Sequence, residues 1–213
     1  MIARQSFFNT ITIGLAFIIG AFNTIYFYPT YLGSELQGLV VALLAISNLI
    51  QPVISFGVQH SLIKFFSSCK NKIEKDSLFL FSMIFPIIIF LLIILPLSLL
   101  FREEIVEIIS AENKIMGKYL FMILAISFST AYFEVFYSWS RVNMKTIFGN
   151  FLKEFYPRAL IFSLLIFYAF KILDFDLFVI LLITGYYFRL LLMVLYSLNI
   201  YKPSLSFTLP SNF

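Results

Sequence analysis

SLFLFSMIFPIIIFLLIILPLSLLF, residues 77–101, runs for 25 positions without one ionisable side chain. A helix needs about 20 residues, at 1.5 Å rise each, to cross the roughly 30 Å of hydrocarbon in a bilayer. This stretch is long enough. A run this apolar crosses as a helix, because an open strand leaves backbone N–H and C=O groups unsatisfied in lipid. Outward from it the same pattern recurs, and we read spans at 7–30, 36–60, 77–101, 117–139, 157–171 and 176–199. The whole chain is 61% hydrophobic and 12% charged, where a soluble domain carries roughly 25% charged residues. Its mean hydropathy is +0.97. A water-soluble fold of this size still exposes much of its surface and has nowhere to hide so much apolar area. The expected fold is therefore all-α, a polytopic six-helix transmembrane bundle, a single unit over residues 1–213.

Local signals punctuate the spans. Arg4 and the following apolar run resemble a signal peptide, but no small-x-small site interrupts the run before Pro29, so it reads as a retained first span. Residues 31–35 are short enough to make a tight hairpin. Gly33 suits the end of the first helix, and Ser34 with Gln37 fits a capping box for the second. Pro157 suits the start of the fifth helix, and Asp174 or Asp176 can cap the sixth. Pro52, Pro86 and Pro96 fall inside spans and predict kinks. Residues 102–118 alternate Glu with Ile and Val and predict a short interfacial helix.

Charge excludes some functions and orients the chain. The net charge of +4 and pI near 9.1 arise from basic residues scattered over short loops, with no stripe for nucleic acid. Arg4, Lys64, Lys70, Lys72, Lys75, Arg141, Lys145, Lys153, Arg158 and Lys202 fall on one side; Arg102, Lys114, Lys118 and Lys171 fall on the other. The richer side is predicted to be cytoplasmic, with both termini. Cys69, the only cysteine, then faces a reducing compartment. His60 is the only histidine and has no partner at metal-ligand spacing, so no metal is expected. No nucleophile–base set and no phosphate-binding Gly-rich loop occurs, so neither an enzyme nor a cofactor is expected.

Polar residues inside spans carry the remaining information, because each is costly unless it meets a partner or water. Asn48, Gln51, Ser55 and Gln59 share one face of the second span. Ser127, Thr130, Glu134, Ser138 and Arg141 share one face of the fourth. Both faces are expected to line a hydrated cavity. Asn9, Ala16, Gly20 and Asn23 in the first span read instead as a packing seam. Glu134 and Arg189 are the two ionisable residues inside spans, at depths of roughly 24 Å and 20 Å from the outer ends. They are expected to face one another or the same water.

The opening RQSFFNTITIGLAFIIGAFNTIYFYPTYLGSELQGLVVALLAISNLIQPVISFGVQHSLIKFF, residues 4–66, resembles the first two helices of bacterial polysaccharide biosynthesis transporters. RVNMKTIFGNFLKEFYPRALIF, residues 141–162, resembles their cytoplasmic connection between the fourth and fifth helices. These are the O-antigen flippases of the multidrug/oligosaccharidyl-lipid/polysaccharide exporter superfamily. Ala21, Phe22 and Asn23 stand where the related lipid II flippases carry an Arg-Asp pair. The resemblance implies one lobe of a two-lobe transporter in the cytoplasmic (inner) membrane. Its partners would be the lipid bilayer, a lipid-diphosphate-linked oligosaccharide, and a second lobe or another membrane subunit. A diphosphate needs cations in a low-dielectric cavity. Arg189, Arg158 and Arg141 are the candidates, with Glu134 orienting an arginine or carrying a proton, and Asn48, Gln51, Ser55 and Gln59 lining the cavity. Two alternatives stay open: an ion-coupled drug exporter of the same superfamily, and a non-transporting scaffold of a glycan-assembly complex.

Overall fold

The computed structural model describes residues 2–111 and 115–204; Lys114 lies outside them, as does the side chain of Arg4. The described residues are helical, without strands. α1 (Ile2–Phe22) continues through a π-helical stretch, Asn23–Leu32, and is followed by α2 (Gly33–Ser55) and α3 (Val58–Phe66). α4 (Lys72–Ile89) runs through a π-helical stretch, Phe90–Ile94, into α5 (Leu95–Leu100). The short α6 (Arg102–Ser110) and a 3₁₀ turn (Met116–Tyr119) lead to α7 (Leu120–Val142). α8 (Ile147–Asn150), a π-helical stretch (Phe151–Phe155) and α9 (Tyr156–Ala169) form one rod, and α10 (Phe175–Ile200) closes the order.

Four helical runs are long and apolar enough to cross a membrane: Gln5–Ser55, Lys72–Leu100, Met116–Val142 and Phe175–Ile200. The α8–α9 rod is not among them, since Lys153, Glu154 and Arg158 interrupt its first half. The outer faces are apolar, with Phe17, Ile25, Leu92 and Leu100 each more than 70% exposed. Serines are turned inward instead: Ser47, Ser55, Ser127, Ser129, Ser140 and Ser197 have no exposed surface. Apolar outside and small hydroxyl inside is the pattern of helices that pack within lipid, where close approach replaces the hydrophobic effect. The chain is a membrane protein.

α7 lies at the centre, buried over most of its length, while less than half of each other long run is buried. It runs parallel to α10. Lys118 pairs with Asp176 at one end (2.8 Å), and Ser129 Oγ donates to the Tyr186 carbonyl (3.0 Å) one helix-third further along. α2 and α3 run the same way along its other side, from Ser47 Oγ donating to the Ile123 carbonyl (3.1 Å) to the rings of Phe66 and Trp139 (5.6 Å). α4 runs opposite to α7, as the ring pairs Phe90–Phe128 (4.7 Å) and Phe79–Trp139 (4.1 Å) require. α9 runs opposite to α10, with Tyr156 donating to the Gly185 carbonyl and Tyr168 against Phe178. α1 runs parallel to the α8–α9 rod: Asn9 meets Thr146, Asn23 donates to the Arg158 carbonyl, and Phe27 meets Phe162. Chain direction thus alternates from rod to rod. The Ala16, Gly20 and Asn23 stripe is the seam of this last pair, with Gly20 leaving the room that the Arg158 stem fills.

Several expectations need correction. The second span is not continuous to residue 60: Phe56 (φ 46°) and Gly57 (φ 75°) are both left-handed and break it after Ser55. Gly33 has the expected positive φ (73°), but ψ 170° takes it out of the left-handed helical region. Neither Ser34 nor Gln37 makes a capping bond, because the helix already starts at Gly33. The fifth rod starts at Ile147, so Pro157 sits inside it. Asp174 caps α10 through Leu177 N–H (2.8 Å), while Asp176 is taken by Lys118 and Tyr119. Of the three prolines expected to kink spans, Pro52 and Pro86 lie inside α2 and α4, and only Pro96 follows a π-helical stretch. Each π-helical stretch adjoins or contains a proline, namely Pro29, Pro96 or Pro157. A proline has no N–H and its ring crowds the carbonyl four residues back, so the turn before it widens. Leu95 and Tyr156, one residue ahead of Pro96 and Pro157, accordingly bond to Phe90 and Phe151, five residues back.

Candidate functional site

α7 carries Thr130, Phe133, Glu134, Tyr137 and Arg141 at offsets of three and four, so they share one face. That face meets α10 and the α8–α9 rod. Arg189 of α10 is 4% exposed, and its Nη2 donates to Thr130 Oγ1 at 3.3 Å. Its guanidinium lies between two rings, 4.3 Å from the centroid of Phe133 and 4.6 Å from that of Tyr186. Its Nε has no hydrogen-bond partner among the described residues. Each desolvated ring contact is worth about 2 kcal/mol. Together they offset the roughly 2.5–3.5 kcal/mol that an arginine costs at a helix centre.

One turn further along α7, Glu134 accepts Lys153 Nζ at 2.7 Å, with the carboxylate side chain 16% exposed and the lysine 40%. Glu134 therefore pairs with Lys153, and no ion pair joins it to Arg189 among the described residues. The two residues predicted to face one another or the same water sit on the packed helices α7 and α10, each with its own partner. Lys153 Nζ also stands 5.5 Å from the Tyr137 ring, and the exposed Arg141 guanidinium is 5.7 Å from the same ring. Tyr137 is held edge-on to the α8–α9 rod at Gly149, where a methyl group would collide with its ring. Phe133 and Tyr137 stack on each other at 5.9 Å. Arg158 is turned to its own helix: its Nη1 donates to the Glu154 carbonyl and pairs with the Glu154 carboxylate at 3.2 Å.

The second-span residues lie apart from this group. Asn48 is exposed; Gln51 Nε2 donates to Ser55 Oγ (3.3 Å), which donates to the Pro52 carbonyl. Gln59 is 7% exposed, and its Oε1 has no hydrogen-bond partner among the described residues. All four flank the Phe56–Gly57 break, and none bonds to Arg141, Lys153, Arg158, Glu134 or Arg189 in the described structure. Sequence reading passed over Lys153 and Tyr137. Lys153 reads as one more loop cation until the rod is seen to begin at Ile147, which lifts it alongside Glu134. Among the described residues no group of His, Cys, Asp and Glu could hold a metal ion.

No family model, curated protein or solved structure matches this chain.

Proposed function

We propose that the chain is one lobe of a flippase that moves a lipid-diphosphate-linked oligosaccharide across the cytoplasmic membrane, its six helical rods crossing the bilayer in alternating directions. The observation that supports this reading is the α7 face, where Arg189, Lys153 and Arg141 are set along the rings of Phe133 and Tyr137. An aromatic bed inside a membrane bundle keeps cations in a low-dielectric setting, where charge-assisted bonds to phosphate are strong. No chemistry is performed, and a second lobe or a second membrane subunit supplies the other half of the path. The scaffold reading has one observation in its favour: Arg189 is enclosed by rings, as a purely structural arginine would be.

The two readings separate on surface polysaccharide measured in cells whose native copy is replaced by a variant. Arg189→Ala is expected to abolish it with the protein present in the membrane, and Arg189→Lys to keep part of it, since a point charge binds phosphate without the bidentate fork. Wild-type polysaccharide with Arg189→Ala would reject the transport role of this residue.

A further inference from the structure

Within the flippase reading, on which this inference rests, Lys153 is the cation that stands out. Arg189 is enclosed, and Arg158 is bonded within its own helix. Lys153 is partly open, and its one acidic partner, Glu134, is a carboxylate that another oxyanion can replace. The Tyr137 ring, wedged at Gly149, has the Lys153 ammonium 5.5 Å and the Arg141 guanidinium 5.7 Å from its centroid, so one ring serves both cations.

We propose that the Glu134–Lys153 ion pair is an anion gate: Glu134 occupies Lys153 until a phosphate oxygen exchanges for its carboxylate, and Arg141 is the second cation that meets the incoming group. The ligand class is a phosphate or diphosphate ester. Exchange keeps one acceptor on the half-exposed ammonium throughout, so Lys153 is not left without a counter-charge on the buried side that faces Glu134. Arg189, one helical turn deeper past Phe133, lies beyond the gate and becomes reachable once Glu134 has swung away.

The test is binding of inorganic diphosphate to the full chain in lipid nanodiscs, followed calorimetrically. Glu134→Gln removes the competitor and is expected to tighten binding about fivefold, the equivalent of roughly 1 kcal/mol. A misfolded variant cannot give a gain, so this result does not depend on the other variants folding. Lys153→Ala is expected to weaken binding about tenfold and Lys153→Arg to stay within about threefold of wild type. Glu103→Gln, the same charge change on α6, is expected to leave binding unchanged. Unchanged or weaker binding with Glu134→Gln, or equal gains with Glu134→Gln and Glu103→Gln, would overturn the gate. A second arm adds a polyprenyl diphosphate to the nanodisc. Its displacement of inorganic diphosphate supports a lipid headgroup as the source. A gate that responds to inorganic diphosphate but not to the lipid would leave the exchange standing and count against the flippase reading.

Discussion

Tyr201 follows the last residue of α10, and its ring stands 5.0 Å from that of Trp139 and 5.8 Å from Lys72 Nζ. Three residues on, Ser204 donates from both its N–H and its hydroxyl to Asp76 Oδ2, so the chain is pinned across the ends of α4 and α7. Asp76 has no exposed surface, and the Tyr201 hydroxyl lies beside its carboxylate without a well-aligned hydrogen bond. Burial first, and the neighbouring carboxylate second, push that hydroxyl from 10.0 up to about 12. A raised value in the folded state means the contact is fully present below the unfolded value and is lost as pH rises through the folded one. The packing of Tyr201 should therefore hold to about pH 10 and fail between about 10 and 12. Trp139 is the only tryptophan, so its emission reports the change directly. Tyr201→Phe should remove the alkaline step; an identical step in that variant would place its origin elsewhere.

The elements divide by what a side chain can announce. Residues 77–101 were legible because nothing charged interrupts them, and all but Phe101 fall within the α4–α5 run. The break after Ser55 was not, since apolar residues continue past it and Phe56 is a type that rarely turns left-handed. Gly57 was the one visible cue, and a lone glycine in a helical pattern is usually tolerated. Substitution distinguishes the two kinds of glycine. Gly57→Ala forces a Cβ onto φ 75° and should destabilise by about 1–2 kcal/mol. Gly38→Ala in regular α2 meets open space and should stabilise by roughly 0.5–1 kcal/mol. Thermal unfolding in detergent compares them, and equal shifts would contradict the break. A capping box at Asn71 and Glu74 was legible by type and went unread: Asn71 Oδ1 accepts from Glu74 N–H (2.8 Å). At the site, Arg189 and Glu134 stood out as ionisable residues in apolar runs. Their partners depend on which rods adjoin and how far each extends, which no local pattern encodes.

At the scale of the molecule, the alternating rods and the uneven Lys and Arg distribution place Lys64, Lys70, Lys72, Lys75, Arg141, Lys145 and Lys153 at one end, with Cys69 among them. By the positive-inside rule that end is expected to be cytoplasmic. An impermeant maleimide added to intact cells should then leave Cys69 unlabelled, whereas permeabilised cells should label it. Burial, and next the neighbouring Glu74, hold its thiol above the ordinary cysteine value, so labelling should speed up with rising pH. Labelling from outside would invert the orientation and put the cations of this face at the outer leaflet. The central claim is that this bundle holds a lipid diphosphate on the cations gathered along the α7 face, Lys153 and Arg189 among them. Native mass spectrometry of the chain in nanodiscs containing undecaprenyl diphosphate measures that most directly. The account predicts an adduct that weakens about tenfold or more when Lys153 and Arg189 are both replaced by alanine, and none with undecaprenol. An adduct equally strong in the double variant, or equally strong with the uncharged alcohol, would contradict it.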